Sequence, residues 1–596
     1  MRFLLSLFLG IFFSFLLFAE ISIEDFINLD ESESEENEYT EILSQLSQNP
    51  ISLKAASKED LENLFWLTAE QKVSLYKLIR AQKISYQILT DYGFTSEEIK
   101  ILKNYTFIRA SYPFHLSQRI RSSFQEKYEE TPSSTAFYQR ILGSVQNFDF
   151  CFLNQKDAGE KEITNFYSYF LSYQTPGIIQ KAVIGRYRLA FGQGLLMSSK
   201  LGVSKGSAST TIPAKHQFSL RGYTSSYEIW FWEGGAAHIS WKNLSFLPFF
   251  SKSNYAASLS DGKISSFNES GIYQPNQTYI DETLSGSYLR WEKYQFALGA
   301  TFLRNSFSKP FLDEKKAQEY FGMATDWHYS GETFTFAGEI ANADQKTAFL
   351  SYLKWGDSNI KHLILIRNYP AYFPTWHGKP FSSQSTFDNE KGIYYGLETK
   401  IHQFKINAYF DVWRYPETRY FEKMPTVASE EFLQIETKSK TQKWTFSVNH
   451  KNKEKYKTLE DESKIRNFQR TVLRTDWWHY FDNISLKTRF EYASEYYQDE
   501  KVFQKGTLIS QLVKFHFSNL ELAAQIALYH ANVLHYMYEY SMDGQMENAV
   551  LSGDGIYSYL LVKYLIIKNL KIQFKISDRW NEKNYLKAGL QIEYLL

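Results

Sequence analysis

Phe404-Lys405-Ile406-Asn407-Ala408-Tyr409-Phe410-Asp411-Val412 sets Phe404, Ile406, Ala408, Phe410 and Val412 on one side, with Lys405, Asn407, Tyr409 and Asp411 between them. Successive strand residues point to opposite faces, so the stretch has one greasy and one wet face. Tyr294 to Phe302 repeats the pattern: Tyr294, Phe296, Leu298, Ala300 and Phe302 alternate with Gln295, Ala297, Gly299 and Thr301. Leu570 to Ile576 alternates with Lys571, Gln573 and Lys575. A soluble sandwich shows the same alternation. Three features favour a membrane barrel instead. The apolar faces are rich in aromatics, the other faces are small or charged and suit a water-filled lumen, and the chain ends on a strand. That strand puts Leu586, Ala588, Leu590, Ile592, Tyr594 and Leu596 on one face, with Lys587, Gly589, Gln591 and Glu593 on the other.

Composition agrees. Aromatics make up 17% of the chain, which supplies outward apolar surface and two interfacial girdles. Lys+Arg and Asp+Glu are both 66, so no global field draws the chain to nucleic acid or anionic lipid. The single cysteine, Cys151, excludes an intramolecular disulfide framework and any Cys-based zinc site.

Four regions are expected. Residues 1–19, with Arg2 and an apolar run from Leu4 to Phe18, have the form of a secretory signal peptide. Residues 20–48 form an acidic linker, with ten Asp or Glu and no Lys or Arg between Glu20 and Glu41. Residues 49–108 are expected to be a small all-α domain in the periplasm. Residues 112–596 are expected to be a large antiparallel transmembrane barrel, mainly β, of about 18–22 strands. Its expected long outer loops are 251–285, 306–321 and 451–466.

In the helical region, Thr68-x-x-Gln71 and Thr95-x-x-Glu98 fit the capping-box pattern. Asn49 to Leu61, with the pieces Trp66-Leu67-Thr68 and Gly93-Phe94-Thr95, resembles the opening of the tandem helix-hairpin-helix domain of secreted competence-type DNA receptors. The resemblance implies phosphate contacts at the two hairpins, and Thr68, Gly93, Thr95, Lys72 and Lys100 are the residues placed to make them. The family's hairpins use Gly-hydrophobic-Gly, which brings backbone amides close to a phosphate. Here the first hairpin has neither glycine and the second has one. The eight basic and seven acidic residues of 49–108 give a net charge of only +1.

The barrel also has a likeness. Lys156-Asp157-Ala158-Gly159-Glu160, then Gly185 to Leu195 (GRYRLAFGQGL), then Arg367-Asn368-Tyr369 and Asn389 to Gly396 (NEKGIYYG) resemble, in this order, blocks of a family of large outer-membrane proteins that carry helix-hairpin-helix heads. Arg186 stands where that family commonly has Asp. Gly192-Gln193-Gly194 and Asn389-Glu390 have the form of a barrel corner and a capped turn. The sharper reading makes these five residues a seat for a plug or inward loop.

No catalytic set stands out, and no enzyme activity or cofactor is expected. Gly202-Val203-Ser204-Lys205-Gly206 matches the nucleophile-elbow spacing, but it sits in a loop rather than at a strand-to-helix turn of a parallel sheet. The leading expectation is therefore an outer-membrane channel or docking platform. Its expected partners are outer-membrane lipid, the barrel assembly machinery that reads the final strand, and a periplasmic protein. The alternative is DNA binding and uptake through the head, and a third reading is an enzyme on the outer surface.

Overall fold

The computed structural model describes residues 50–596 apart from single or paired positions and breaks at 57–59, 109–113, 199–204, 212–215, 269–277, 420–423, 499–501 and 582–584. Before residue 50 it describes Leu43 and Leu46. The expected signal peptide, nearly all of the acidic segment, Thr68 and Ser204 lie outside the described residues.

The head contains helix α1 (Ala69–Arg80), a 3-10 turn at Tyr86–Tyr92 and helix α2 (Ser96–Tyr105). Leu75, Leu89 and Leu102 of these elements pack with Leu64 and Phe94 in one small core. The capping box at α2 forms as its spacing predicts: Thr95 Oγ1 accepts from Glu98 N at 3.1 Å, and Glu98 Oε2 accepts from Thr95 N at 2.7 Å. The head is not purely helical. Ile51–Ser52 pairs in parallel with Thr106–Phe107, which clips the start of the unit to its end.

The remainder is a closed antiparallel barrel of 24 strands, more than the 18–22 expected. The connections are shorter than a mixture of turns and long loops requires. Even at the end that carries the long loops, Phe334–Ala343 passes to Lys346–Gly356 through Asp344 and Gln345 alone. The expected loops at 251–285 and 451–466 are largely strand, because Leu244–Ser260 pairs with Thr278–Lys293 and Gln442–Leu459 with Glu462–Tyr480. A loop does lie at 308–318, within the expected 306–321.

Closure is made by His115–Gln125 against Tyr585–Leu595, with Arg121 opposite Gln591 and Arg119 opposite Glu593. No edge of the ring is left unpaired, the condition for a sheet to span lipid. Both closing strands begin or end at the rim that carries the short turns, such as 294–295, 402–403 and 568–569. The head is joined at that rim, where Gln174 Nε2 donates to Asp60 Oδ2 at 3.0 Å.

The faces follow the period-two pattern. Leu590 and Ile592 are 47% and 40% exposed on the outside, whereas Gln591 and Glu593 between them are 0% and 4% exposed. Phe302, Ile364, Ile366 and Phe410 lie on the same outer apolar surface. The inner face departs from the expected water-filled lumen. Asn407, Tyr409 and Asp411 are all buried, because segments of the chain fold inward against them.

Candidate functional site: a lumen filled by inward segments

The first inward segment begins on Ile179–Gly192. Up to Tyr187 this strand pairs with Trp232–Trp241, and from there to Gly192 it pairs with the short strand Gln217–Gly222. The departure from the wall follows Gly185, which has φ +94 and where an ideal Cβ would lie 2.5 Å from Tyr169 O. A side chain fits neither that backbone nor that space. The segment carries Leu195, Leu196, Met197, Tyr223 and Phe231 into the main apolar cluster, where Phe373, Phe381 and Phe387 of the inward loop 370–389 join them. The two segments are stitched by backbone bonds: Lys379 N donates to Gly194 O and Ser198 N to His377 O, both at 2.9 Å.

The wall facing these segments is rich in carboxylates, and the segments bring donors to it. Glu339 Oε2 accepts from Gln193 N at 2.6 Å and Leu195 N at 3.1 Å. His216 Nε2 lies 2.9 Å from Asp326 Oδ1, and His377 Nε2 lies 2.7 Å from Glu282 Oε1. Arg367 bonds Asp411 through two nitrogens at 2.8 and 3.0 Å and also bonds Glu390. Glu390 in turn accepts from Ser383 N at 3.0 Å. Lys205 of the first segment reaches Asp411 at 2.5 Å and Glu430 at 3.0 Å. Burial disfavours the Lys205 ammonium, but Glu430 and Asp411 outweigh it and hold its pKa above the ordinary lysine value. The result is a chain of alternating charge, Glu390–Arg367–Asp411–Lys205–Glu430–Lys451, inside the barrel.

A third inward segment lies on the other side. Leu520–Glu539 pairs with Val502–Phe517 only as far as Ala531, and Glu547–Ile567 pairs with Leu570–Trp580 only from Ile556 onward. Beyond a register break between Ala531 and His535, residues 535–539 and 547–551 pair only with each other. This hairpin folds into the lumen. His535 Nδ1 lies 2.7 Å from Glu491 Oε1, and the tip residue Asp543 reaches Lys563 at 2.6 Å and Lys571 at 2.7 Å. Burial opposes ionisation of Asp543, but the two ammonium groups outweigh it and hold its carboxyl far below the usual range.

The five residues read as a corner or seat fall in one region. Gly192, Gln193 and Gly194 make the turn that meets Glu339 and Lys379. Glu390 joins the Arg367 pair, and Asn389 exchanges two bonds with the Glu417 backbone at 2.8 and 2.9 Å. In the head, the Gly93 N–H is taken by the carbonyls of Leu89 and Thr90, and the Thr95 hydroxyl by the capping box. Lys72 and Lys100 lie on α1 and α2. Sequence reading gave no role to Arg367, Asp411, Glu339 or Asp543, although Arg367 lies in one of the quoted blocks and Asp411 in the first quoted strand. A carboxylate on the wet face of a strand was legible for Glu339 and Asp411, but nothing local marks the loop that covers each one. Among the described residues, no group of three or more His, Cys, Asp or Glu is placed to hold a metal ion.

Neither a protein-family model nor a curated protein matches the chain. Solved structures similar to it include the siderophore receptor PirA from Acinetobacter baumannii, at 6% identity, covering 82% of each chain with a TM-score of 0.41. The copper transporter OprC is similar at 7% identity, covering 82% of this chain and 84% of that one with a TM-score of 0.39. The FrpB iron transporter from Neisseria meningitidis is similar at 10% identity, covering 81% of each chain with a TM-score of 0.38. Likenesses this distant say nothing about cargo.

Proposed function

We propose that this protein is a gated outer-membrane passage whose lumen is closed by its own inward segments, with the helical head on the periplasmic side. The observation that carries the reading is the filled lumen. Barrels of 16–18 strands leave an aqueous channel, whereas those of about 22 enclose a plugged lumen. A ring that serves only as an anchor needs no charged interior. Here the interior carries ion pairs on both sides, and each inward segment is held by polar bonds that can be exchanged for solvent or solute. The apolar outer face and the closed ladder support placement in lipid. The short-turn rim, where the head is joined, supports the periplasmic assignment. This reading involves no catalysis.

The test is conductance of the full-length protein in planar bilayers. Wild type is expected to be closed or nearly so, and Arg367→Ala, which loosens the first seat, to give resolved steps. Silence from both, with the protein folded, would favour a docking platform for a periplasmic partner. DNA uptake is the weaker alternative, because the hairpin groups that the motif would turn toward a phosphate are already bonded within the head at Gly93 and Thr95.

A further inference from the structure

The two sides of the lumen differ in sign. Along the strands that flank the inward hairpin, Leu570–Trp580 turns Lys571, Lys575 and Arg579 inward. Its two neighbours contribute Lys563 and Lys587. The strands across the closure add Arg119, Arg121 and Arg140, of which Arg119 and Arg140 stand directly opposite each other and are each 1% exposed. Like charges in that register oppose folding. Against these cations, the parts of the same five strands that belong to the wall ladder set one inward carboxylate, Glu593, 2.8 Å from Arg119.

The hairpin supplies the missing negative charge. Residues 535–551 contain Glu539, Asp543 and Glu547 and no Lys or Arg. Each carboxylate meets the wall: Glu539 lies 2.9 Å from Lys575, Glu547 lies 2.6 Å from Lys575 and also bonds Lys587, and Asp543 bridges Lys563 and Lys571. The hairpin is not part of the wall ladder, so its removal need not open the ring. Its tip can also be approached. A cleft of about 270 Å³ at the short-turn rim is lined by Asp543, Lys563, Lys571, Glu593 and the turn residues Asn519 and Asn569.

Resting on the passage reading above, we propose that the path through the barrel runs along this basic wall and takes anionic solutes, with the hairpin carboxylates occupying the positions that those anions would take. A low-dielectric channel lined by one sign of charge concentrates the opposite ion, and Lys and Arg rings select anions in pores. With the hairpin in place its own carboxylates satisfy the lysines. With it displaced, the wall is a track of net positive charge.

The experiment measures current and reversal potential of the full-length protein in planar bilayers under a KCl gradient. Two opened forms are compared with wild type: one with 540–546 replaced by a short Gly-Ser turn, and the double substitution Asp543→Asn, Glu547→Gln. Heat-modifiable migration on gels verifies that each is folded. Both opened forms are expected to conduct more than wild type and to reverse on the chloride side. Adding Lys563→Glu and Lys571→Glu to the shortened form is expected to move the reversal potential toward potassium. Conductance that is unselective or prefers potassium overturns the anion assignment and leaves the passage reading standing. Wild-type conductance equal to that of the shortened form overturns the hairpin's occluding role. Silence from every folded form, Arg367→Ala included, overturns the passage reading itself.

Discussion

Gly192 lies so close to Glu339 that a Cβ built on it would come within 2.8 Å of the carboxylate oxygen and 2.9 Å of the Asp326 Cβ. The second contact is the stricter, because a Cβ cannot swing aside as a carboxylate can. Gly192 also has φ +57, a conformation that costs a residue with a side chain about 1–2 kcal/mol. Gly192→Ala is therefore expected to loosen the first inward segment without opening the ring. Limited proteolysis of folded protein should cut within 193–231 faster than in wild type, while heat-modifiable migration is retained. Unchanged cleavage would mean that the seat tolerates a side chain.

Arg367 holds Glu390, Asp411 and the Ser383 hydroxyl at once, and it is buried. Removing one partner from a buried ion pair costs about 3–5 kcal/mol, because the other charges stay desolvated. Arg367→Ala should lower the unfolding midpoint accordingly. Arg367→Lys should recover only part of the loss, since one ammonium cannot reproduce the fork to Asp411 while reaching Glu390 and Ser383. Wild-type stability of Arg367→Lys would mean that a positive charge alone holds the site without the guanidinium fork.

These two sites show where sequence reading reaches and where it stops. Alternation at Phe404–Val412 reports two faces and hence the barrel, because side-chain direction in a strand is fixed by local geometry. It does not report what lies against the inner face. Asp411 is wet by its spacing and dry in the fold, since Lys205 and Ser383, far away in sequence, cover it. The strand number was underestimated for a related reason. Turn length at the outer rim is set by neighbouring ladders, and a two-residue connection such as Asp344–Gln345 has no Gly or Pro to announce it. The capping box at Thr95 was legible because all its atoms lie within four residues.

The outer face gives a depth-dependent test. Leu590 lies in the middle of Tyr585–Leu595, and Tyr594 lies near its end, on the same outward side. Arg at the bilayer midplane costs about 2–4 kcal/mol and near the interface about 0–1 kcal/mol. Leu590→Arg should therefore destabilise refolding into lipid vesicles much more than Tyr594→Arg. Equal costs would mean that the strand does not cross the bilayer along its length.

Thr95 separates two uses of the head. If its hydroxyl only caps α2, Thr95→Ala should cost the head about 1 kcal/mol, read by hydrogen exchange over Ser96–Tyr105. Duplex DNA binding by the full chain should stay at the non-specific level, about 10⁻⁴ M or weaker at physiological salt, with or without the substitution. Micromolar binding with a steep salt slope, lost on Thr95→Ala or Lys100→Ala, would restore DNA uptake as the leading function.

The outer loops should respond to pH around neutrality. Burial pushes the Glu228 carboxyl up to about 8, with Glu160 and Asp157 adding repulsion, and burial pushes Glu160 up to about 6. Glu160 is tied to the loop 157–165 through Asp157 N at 2.8 Å and through Asn165. Both carboxyls keep their protons in the folded loops at pH values where an unfolded chain has lost them. The stability they contribute is thus present in mild acid and is lost as pH rises, first through about 6 and then through about 8. Amide exchange in 157–165 and 223–231 should quicken across that window, while exchange in the wall strands stays flat. Glu228→Gln should remove the upper step and leave the lower one, because an amide keeps the shape without the ionisation. Exchange in these loops that stays flat across that window, after correction for the intrinsic rate, would show that the two carboxyls are ionised throughout and that the outer corner is held by something other than their protons.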